Sequence, residues 1–388
     1  MYTVIRYTVI MNSIIKATVF SIIVLISNTA SAAQNVVLVT LDGVRWQEVF
    51  SGADKNLINN ADFVKNPTQL NKQFWAPTAN KRQQLLMPFL TQHVAKKGVI
   101  VGDRAKGSNM SVSNPWYFSY PGYNEILTGE VDEKINSNNK VLNANKTILE
   151  RLDERADFKG KTALFGSWDV FPYIVNTQRS NVYVNAGFMP IENDLFADAK
   201  LLNALQNEIP SPWENVRLDS FTYRFAKAYM LAKTPRLLVI SLGETDDFAH
   251  DGHYDQYLKS ARQSDVFIKD LWSTIQTTPG YKNNTTLIVT TDHGRGSSAS
   301  DWQHHSSKRA LAELHLAGNK FPEGIVGSEH IWLAAIGPAI KGHGLIKTQN
   351  ELKQAQVAAT VLSALGINPK HLNSNMAPPK SEILKWSS

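Results

Sequence analysis

Six short apolar runs recur along the chain, and polar or glycine-rich residues follow most of them. Within the runs apolar side chains follow one another without the strict alternation of a strand that has one face in water, so they predict strands buried on both faces. The runs are Val36–Leu41, Val99–Val101, Thr162–Phe165, Leu237–Leu242, Thr286–Thr291 and Ile331–Ile336.

Longer stretches between these runs have the spacing of amphipathic helices. They are Leu85–Ala95, Lys146–Ala156, Phe221–Ala232, Tyr254–Thr278 and Glu351–Leu365. Strands that alternate with helices predict an α/β fold with a largely parallel central sheet and helices on both faces. We expect a single domain over residues 33–388, with a small lid or insertion drawn from Asp169 to Trp213.

The first 32 residues have the layout of a secretory signal peptide. Lys16 precedes an apolar run, Ala17–Ile26, and the small residues Ala30-Ser31-Ala32 form a cleavage site after Ala32. This run is shorter than the roughly 20 residues that span a membrane, although an uncleaved anchor is the alternative interpretation. The segment predicts a periplasmic or secreted protein that keeps no stable membrane anchor.

Composition narrows the function classes. The chain has 388 residues, of which 43% are hydrophobic, so it can bury a sizeable core. It contains no cysteine, which excludes cysteine catalysis, thiolate metal sites and a lipoprotein anchor. The formal charge of +6 includes Arg6 and Lys16 of the leader, so the mature chain carries about +4. No Lys/Arg run interleaved with aromatic residues supports nucleic-acid binding.

Three of the predicted strands are followed by acidic residues and histidines, which are Asp42, then Asp246, Asp247, His250 and His253, and then Asp292 and His293. In an open α/β sheet, functional residues collect beyond the carboxyl ends of the strands. Each residue alone also fits a turn or a helix cap. Together, however, the carboxylates would repel one another unless a cation lay between them. Carboxylates with imidazoles and no sulfur suit zinc or a similar divalent ion.

A serine in "NPWYFSYPGYNEILTGE" is a further candidate. Pro121 indicates that a short helix starts here and runs through Leu127, which puts Ser119 at its N-terminus. Helix amides and the dipole favour an anion there, and a serine hydroxyl activated by a metal could attack a phosphoryl group. The alternative is a capping serine with no chemistry.

These motifs resemble the alkaline phosphatase superfamily, in particular its phosphodiesterase and nucleotide pyrophosphatase-like branch. The resemblance rests on "LVTLDGVRW", "SYPGYNEILTG", "ETDDFAH", "TDHGRG", a downstream His and "IWLAAIGP", which occur in the family's order over nearly the whole mature chain. It implies an exported, metal-dependent phosphoric ester hydrolase that acts on a small-molecule phosphate ester through a phosphoserine on Ser119.

The resemblance also implies the ligands of two divalent ions, most often zinc, with magnesium or manganese as alternatives at one site. One ion would be held by Asp246, His250 and a third histidine. The other would be held by Asp42, Asp292, His293 and the oxygen of Ser119.

The resemblance leaves two assignments open, the third histidine ligand and the substrate-binding residue. For the third histidine, His253, His304, His305 and His330 compete, and His305 is favoured because family members place the ligand three residues after a Trp. Diesterases of the family carry a substrate-binding Asn directly after the Pro, where this chain has Gly122. We therefore expect Asn124, two residues on, to contact the substrate, and the preference for monoesters or diesters stays open.

Two other functions compete with phosphoric ester hydrolysis. Sulfatases of this superfamily have an Arg four residues after the modified Cys or Ser, and Tyr123 stands at that position here. An inactive exported binding module on the same scaffold is the second alternative. No feature favours the latter, because every ligand type is present.

Overall fold

The computed structural model describes residues 33–314, 320–342 and 344–385. The signal peptide predicted for residues 1–32 lies outside this part of the chain. Among the described residues, no helix combines the length and the apolar character needed to cross a membrane.

An eight-stranded sheet forms the centre of the fold, with the strand order β5-β4-β6-β1-β7-β8-β2-β9. Its strands are β1 (Asn35–Leu41), β2 (Val99–Val101), β4 (Thr162–Gly166), β5 (Tyr183–Ala186), β6 (Leu237–Leu242), β7 (Thr285–Thr290), β8 (Leu333–Ile336) and β9 (Gly344–Leu345). Strand β8 runs antiparallel to its neighbours β7 and β2, and the other pairings are parallel. A second, two-stranded sheet pairs β3 (Met110–Ser111) with β10 (Leu352–Lys353).

Helices pack on both faces of the central sheet. In chain order they are α1 (Trp46–Ser51), α2 (Lys55–Ile58), α3 (Pro67–Phe74), α4 (Ala79–Leu86), α5 (Ala95–Lys97), α6 (Ser119–Thr128), α7 (Ile148–Asp153), α8 (Phe171–Ile174), α9 (Ala199–Glu208), α10 (Asp219–Lys233), α11 (Glu244–His250), α12 (Tyr254–Thr277), α13 (Lys308–Glu313), α14 (Gln356–Ala364) and α15 (Pro369–Leu372). The described residues also include a π-helical turn, Phe89–Val94, and a 3₁₀ turn, Arg104–Lys106.

The two faces of the sheet bury separate cores. In β1, Val37 and Val39 belong to the core that contains α10 and α12, whereas Val36 and Leu38 belong to the core that contains α6 and α14. Successive side chains of a strand point to opposite faces, so a strand covered by helices on both sides must be apolar at every position. This explains the unbroken apolar runs and confirms the predicted α/β class.

Three local predictions differ from the structure. The helix expected over Leu85–Ala95 is interrupted at Met87, and after Pro88 the backbone amides of the next two residues donate to the side chain of Asp265, at 2.9 and 2.8 Å. The helix expected from Glu351 begins instead at Gln356, because β10 precedes it. Part of the expected lid is β5, which forms the edge of the central sheet.

Candidate metal centre and active site

Three neighbouring strands at the middle of the sheet end at one point. Strands β6, β1 and β7 lie side by side, so their carboxyl ends meet at one edge. Asp42 directly follows β1, and Asp292 and His293 follow β7. After β6, α11 begins at Glu244 and carries Asp246 and His250 on one face.

The first cluster, which we call the Asp42 group, consists of Asp42, Asp292 and His293, and it is buried. Its ligand atoms lie within 4.8 Å of one another. Nε2 of His293 lies 3.4 Å from Oδ1 of Asp42 and 3.5 Å from Oδ2 of Asp292. The hydroxyl of Ser119 lies 3.3 Å from the same nitrogen, so α6 brings its first residue to this group.

The second cluster, the Asp246 group, consists of Asp246, His250 and His305, and it is more open to solvent. Nε2 of His250 lies 3.1 Å from Oδ2 of Asp246 and 3.0 Å from Nε2 of His305. The two groups adjoin, because Nε2 of His293 lies 3.7 Å from Oδ1 of Asp246.

Hydrogen bonds to the protein leave one oxygen of each buried carboxylate free. Oδ2 of Asp42 accepts from the Tyr123 hydroxyl at 2.9 Å, and Oδ1 of Asp292 accepts from the Gly43 amide at 3.2 Å. The remaining oxygens, Oδ1 of Asp42 and Oδ2 of Asp292, are buried without a partner. A buried, unpartnered carboxylate oxygen is costly unless a cation satisfies it.

Two histidines are oriented in the same way. Nδ1 of His293 donates to the Gly294 carbonyl at 2.8 Å, and Nδ1 of His305 donates to the Tyr117 carbonyl at 3.2 Å. A carbonyl can only accept, so each Nδ1 carries the proton and each Nε2 offers its lone pair to the cluster. The donor set therefore fits two divalent ions with nitrogen and oxygen ligands.

The pKa values show how the cluster shares its charge without an ion. Burial raises the pKa of Asp292 and of Asp42, and the neighbouring carboxylates raise both further. Burial alone would lower the pKa of His293, but the charges of Asp292 and Asp42 outweigh it and raise that pKa to about 9. A proton on His293 thus neutralises part of the carboxylate charge, and a bound cation would replace it.

Arg295, which the sequence reasoning did not single out, contacts the Asp246 group through Asp246 itself. This fully buried side chain donates to Oδ1 of Asp246 and to the carbonyls of Trp302 and Gln303. Burial would raise the pKa of Asp246, but the guanidinium outweighs that effect and holds the pKa well below its usual range. Arg295 therefore ties Asp246 to the loop that carries His305. The signal in the sequence was a charged residue between glycines, in "HGRG".

A buried acidic pair fixes the start of α11. The Gly243 amide donates to Oδ1 of Asp219 at 2.8 Å, and the Asp219 amide donates to Oε1 of Glu244 at 2.9 Å. The hydroxyls of Ser167 and Ser260 donate to the same two carboxylates, at 2.6 and 2.9 Å. Glu244, the first residue of "ETDDFAH", therefore positions the helix that carries Asp246 and His250.

Close backbone packing sets the position of Ser119. Helix α6 starts at Ser119, as expected, and continues to Thr128. A Cβ atom at Gly122 would lie 2.5 Å from the backbone oxygen of Asp292, so only glycine allows this approach. The helix amides are less available to an anion than expected, because the Tyr120 amide donates to Oδ1 of Asn138 at 3.0 Å and Pro121 has no amide hydrogen.

Of the four candidate third histidines, the structure brings only His305 into a ligand group. His304 lies with its ring 5.5 Å from that of Phe321, and His330 lies beside Glu329 at 3.2 Å. His253 caps the start of α12 and belongs to neither group.

The substrate-binding role expected for Asn124 has no support in the geometry. Its side chain is buried, and Nδ2 donates to the Glu130 carbonyl at 3.0 Å. Its Oδ1 accepts from Asn143 at 3.1 Å and from Asn145 at 3.4 Å. Asn124 therefore fastens the loop after α6 and does not line the cavity beside Ser119.

Two cavities open beside the ligand groups. The polar cavity, of about 530 Å³, contains Ser119, Asp42 and Asp246, and Lys140 lies at its wall. The apolar cavity, of about 690 Å³, lies next to it. Both are lined by His250 and His305, so the Asp246 group lies where they meet.

Comparison with known sequences gives one family. The sequence model of the type I phosphodiesterase / nucleotide pyrophosphatase family matches residues 99–364, which is about two thirds of the chain. This match includes Ser119 and both ligand groups except Asp42, which lies upstream of it. No curated protein matches the chain by sequence.

Solved structures of the alkaline phosphatase superfamily share the fold. The alkaline phosphatase PafA is 10% identical with a TM-score of 0.55, and the alignment covers 91% of this chain and 99% of that one. Murine ectonucleotide pyrophosphatase / phosphodiesterase 5, in complex with AMP, is 13% identical with a TM-score of 0.51 over 89% and 97%. A phosphonate monoester hydrolase from Silicibacter pomeroyi is 13% identical with a TM-score of 0.51 over 89% and 78%. At these identities the likeness shows the fold alone.

We predict that Gly122→Ala destabilises the protein, although alanine is the better helix former. Alanine at a helical glycine normally stabilises by roughly 0.5–1 kcal/mol, but a Cβ 2.5 Å from the Asp292 oxygen forces α6 away from β7. We expect a net loss of about 1–3 kcal/mol in the free energy of unfolding, measured with urea. A variant as stable as the wild type would contradict the close approach.

We predict that Arg295→Met destabilises the metal-free protein more than the metal-loaded protein. Without the guanidinium, the Asp246 carboxylate keeps only the neighbouring histidines as cationic partners unless an ion is bound. The loss should be about 3 kcal/mol in chelator-treated protein and clearly smaller after metal is restored. Urea unfolding of both forms measures this, with Arg309→Met at the surface as the control. Equal losses in both forms would show that Asp246 does not share its charge with an ion.

Proposed function

This chain belongs to the type I phosphodiesterase / nucleotide pyrophosphatase family, and we propose that it is an exported phosphoric ester hydrolase with a two-metal centre. The observation that carries the proposal is the position of the Ser119 hydroxyl, 3.3 Å from Nε2 of His293 and beside two groups of candidate ligands, of which the Asp42 group is buried. A nucleophile, two cation sites and a cavity that contains all three are the parts that phosphoryl transfer needs.

Each ligand group has a distinct place in this proposal. Asp42, Asp292 and His293, with the oxygen of Ser119, would hold one divalent ion, and the Asp246 group would hold the other. Such ions, most often zinc, lower the pKa of a nucleophilic hydroxyl, stabilise charge on the leaving oxygen and activate water.

Ser119 carries the covalent step. Its oxygen, after losing its proton, attacks phosphorus while the bond from phosphorus to the leaving oxygen breaks; the leaving oxygen takes up a proton and departs as the alcohol, which leaves a phosphoserine. Water then attacks the same phosphorus, the bond to the Ser119 oxygen breaks, and the phosphate product is released as Ser119 regains a proton. The Tyr123 hydroxyl and the Gly43 amide keep Asp42 and Asp292 in place during both steps, because each holds one carboxylate oxygen.

Export to the periplasm or the medium rests on the sequence of residues 1–32. We propose that residues 33–388 form one catalytic domain whose partner is a small-molecule phosphate ester.

A sulfatase is the nearest alternative, and one contact argues against it. The residue at the position of the sulfatase arginine is Tyr123, and its hydroxyl donates to the metal-ligand candidate Asp42 at 2.9 Å. It also accepts from the Ser241 hydroxyl at 2.9 Å. No guanidinium can therefore act from this position.

We predict that Ser119→Ala lowers turnover by at least about 10³-fold, because the covalent step loses its nucleophile. Bound metal should be largely retained, since Asp42, Asp292 and His293 remain. Steady-state kinetics and elemental analysis measure the two effects. Ser273→Ala, at an exposed position of α12, is the control and should keep wild-type turnover. Undiminished turnover in Ser119→Ala would remove the serine from the mechanism.

A substrate panel with metal removal tests the proposed function. We expect hydrolysis of p-nitrophenyl phosphate or bis(p-nitrophenyl) phosphate, loss of activity after chelation, and recovery with zinc or, less fully, with magnesium or manganese. The rate ratio of the two phosphates decides between monoesterase and diesterase. Hydrolysis of p-nitrophenyl sulfate alone would indicate a sulfatase, and no turnover of any ester by metal-loaded protein would indicate a binding module.

A further inference from the structure

We propose that the apolar cavity binds the leaving alcohol, so that the enzyme selects phosphoric esters of alcohols with an aliphatic or aromatic group. This inference rests on the proposed function and adds a substrate class to it. The cavity, of about 690 Å³, has an apolar wall formed by Phe118, Leu311, Leu314, Phe321 and Ile325, and asparagine, serine, histidine and lysine side chains line the rest. It is large enough for a ring or a chain of several carbons.

The role of this cavity follows from the direction in which the phosphoryl group is transferred. The attacking and leaving oxygens lie roughly in line on opposite sides of phosphorus. Ser119 lies against the Asp42 group, so the leaving oxygen would lie toward the Asp246 group. His250 and His305 of that group line the apolar cavity, whereas Ser119 and Asp42 line only the polar one.

The two cavities differ in the chemistry that they offer. The polar cavity has charged walls, which include Asp247 and an ion pair between Lys140 and Asp169 at 2.6 Å. The phosphoryl group belongs there, because Ser119 does. The apolar cavity is bordered by Lys320 and three asparagines but has no carboxylate among its lining residues, and its apolar wall suits a group that gains by leaving water.

The floor of the apolar cavity is a separate small cluster. Phe118 packs with Trp116 and Ala310, and Leu314 lies against them, apart from the two cores that flank the central sheet. Its members belong to neither core, and Phe118 and Leu314 line the cavity. Phe321, whose ring lies 5.5 Å from that of His304, is only half-buried at the opposite wall, so a ligand would cover it.

Inhibition by n-alkylphosphonates tests the inference. Methyl-, butyl- and hexylphosphonate share one head group and are not hydrolysed. Their inhibition constants can be measured against whichever p-nitrophenyl ester the enzyme turns over, so the test does not depend on monoester or diester preference. We expect the inhibition constant to fall about threefold for each added methylene until the cavity is filled.

The variant Phe321→Ala should remove most of the gain with chain length, while methylphosphonate binds within about twofold of wild type. Val326→Ala, at an exposed neighbouring position, is the matched control and should behave as wild type. Equal inhibition constants for methyl- and hexylphosphonate in wild type would overturn the inference. An undiminished gain in Phe321→Ala would overturn it as well. Absence of turnover with every phosphate ester would instead reject the proposed function on which the inference rests.

Discussion

Mutual repulsion among three carboxylates is the constraint on which this structure depends. Asp42, Asp246 and Asp292 meet because β6, β1 and β7 are neighbours, and two of the three carry a buried oxygen without a hydrogen-bond partner. In a low-dielectric site such charges must be neutralised by protons, by arginine or by bound cations. The raised pKa values of Asp292 and His293 and the contact with Arg295 show the first two remedies, and the ligand geometry fits the third.

The surrounding residues hold the candidate ligand side chains in position but leave one potential ligand atom of each free. One oxygen of Asp42 and one of Asp292 are held, and the other oxygen of each stays free. His293 and His305 donate their Nδ1 protons to carbonyls, which turns Nε2 inward. Because these partners lie outside the cluster, removing any one of them would disorder a ligand without deleting it.

The two ligand groups also differ in exposure, and this difference organises the site. The Asp42 group is buried, and of its three residues only Asp42 reaches the polar cavity, whereas His250 of the Asp246 group faces two cavities. In the proposed mechanism, a buried nucleophile site would strengthen electrostatic interactions where charge develops, and a more open leaving side would let an alcohol depart. The contrast between the two cavities would then supply the basis for the substrate selection that we propose.

Much of this follows from the sequence, because local pattern decides it. Unbroken apolar runs between helical stretches were enough for the α/β class, and acidic residues after three strands were enough for the candidate ligands, since parallel strands end at one edge. The family resemblance added the order of the motifs and favoured His305 over His304.

Tertiary structure alone decided the rest, because it depends on contacts between distant segments. Asn124 looked like a substrate contact, yet it holds a loop through Asn143. Arg295 was not singled out in the sequence, yet it reaches Asp246, 49 positions away. Gly122 departs from the family pattern, and the structure gives the reason, because a Cβ atom at this position would lie 2.5 Å from the backbone oxygen of Asp292. The sequence pattern predicts on which face of a helix or strand a side chain lies, whereas only the folded structure shows which residues it contacts there.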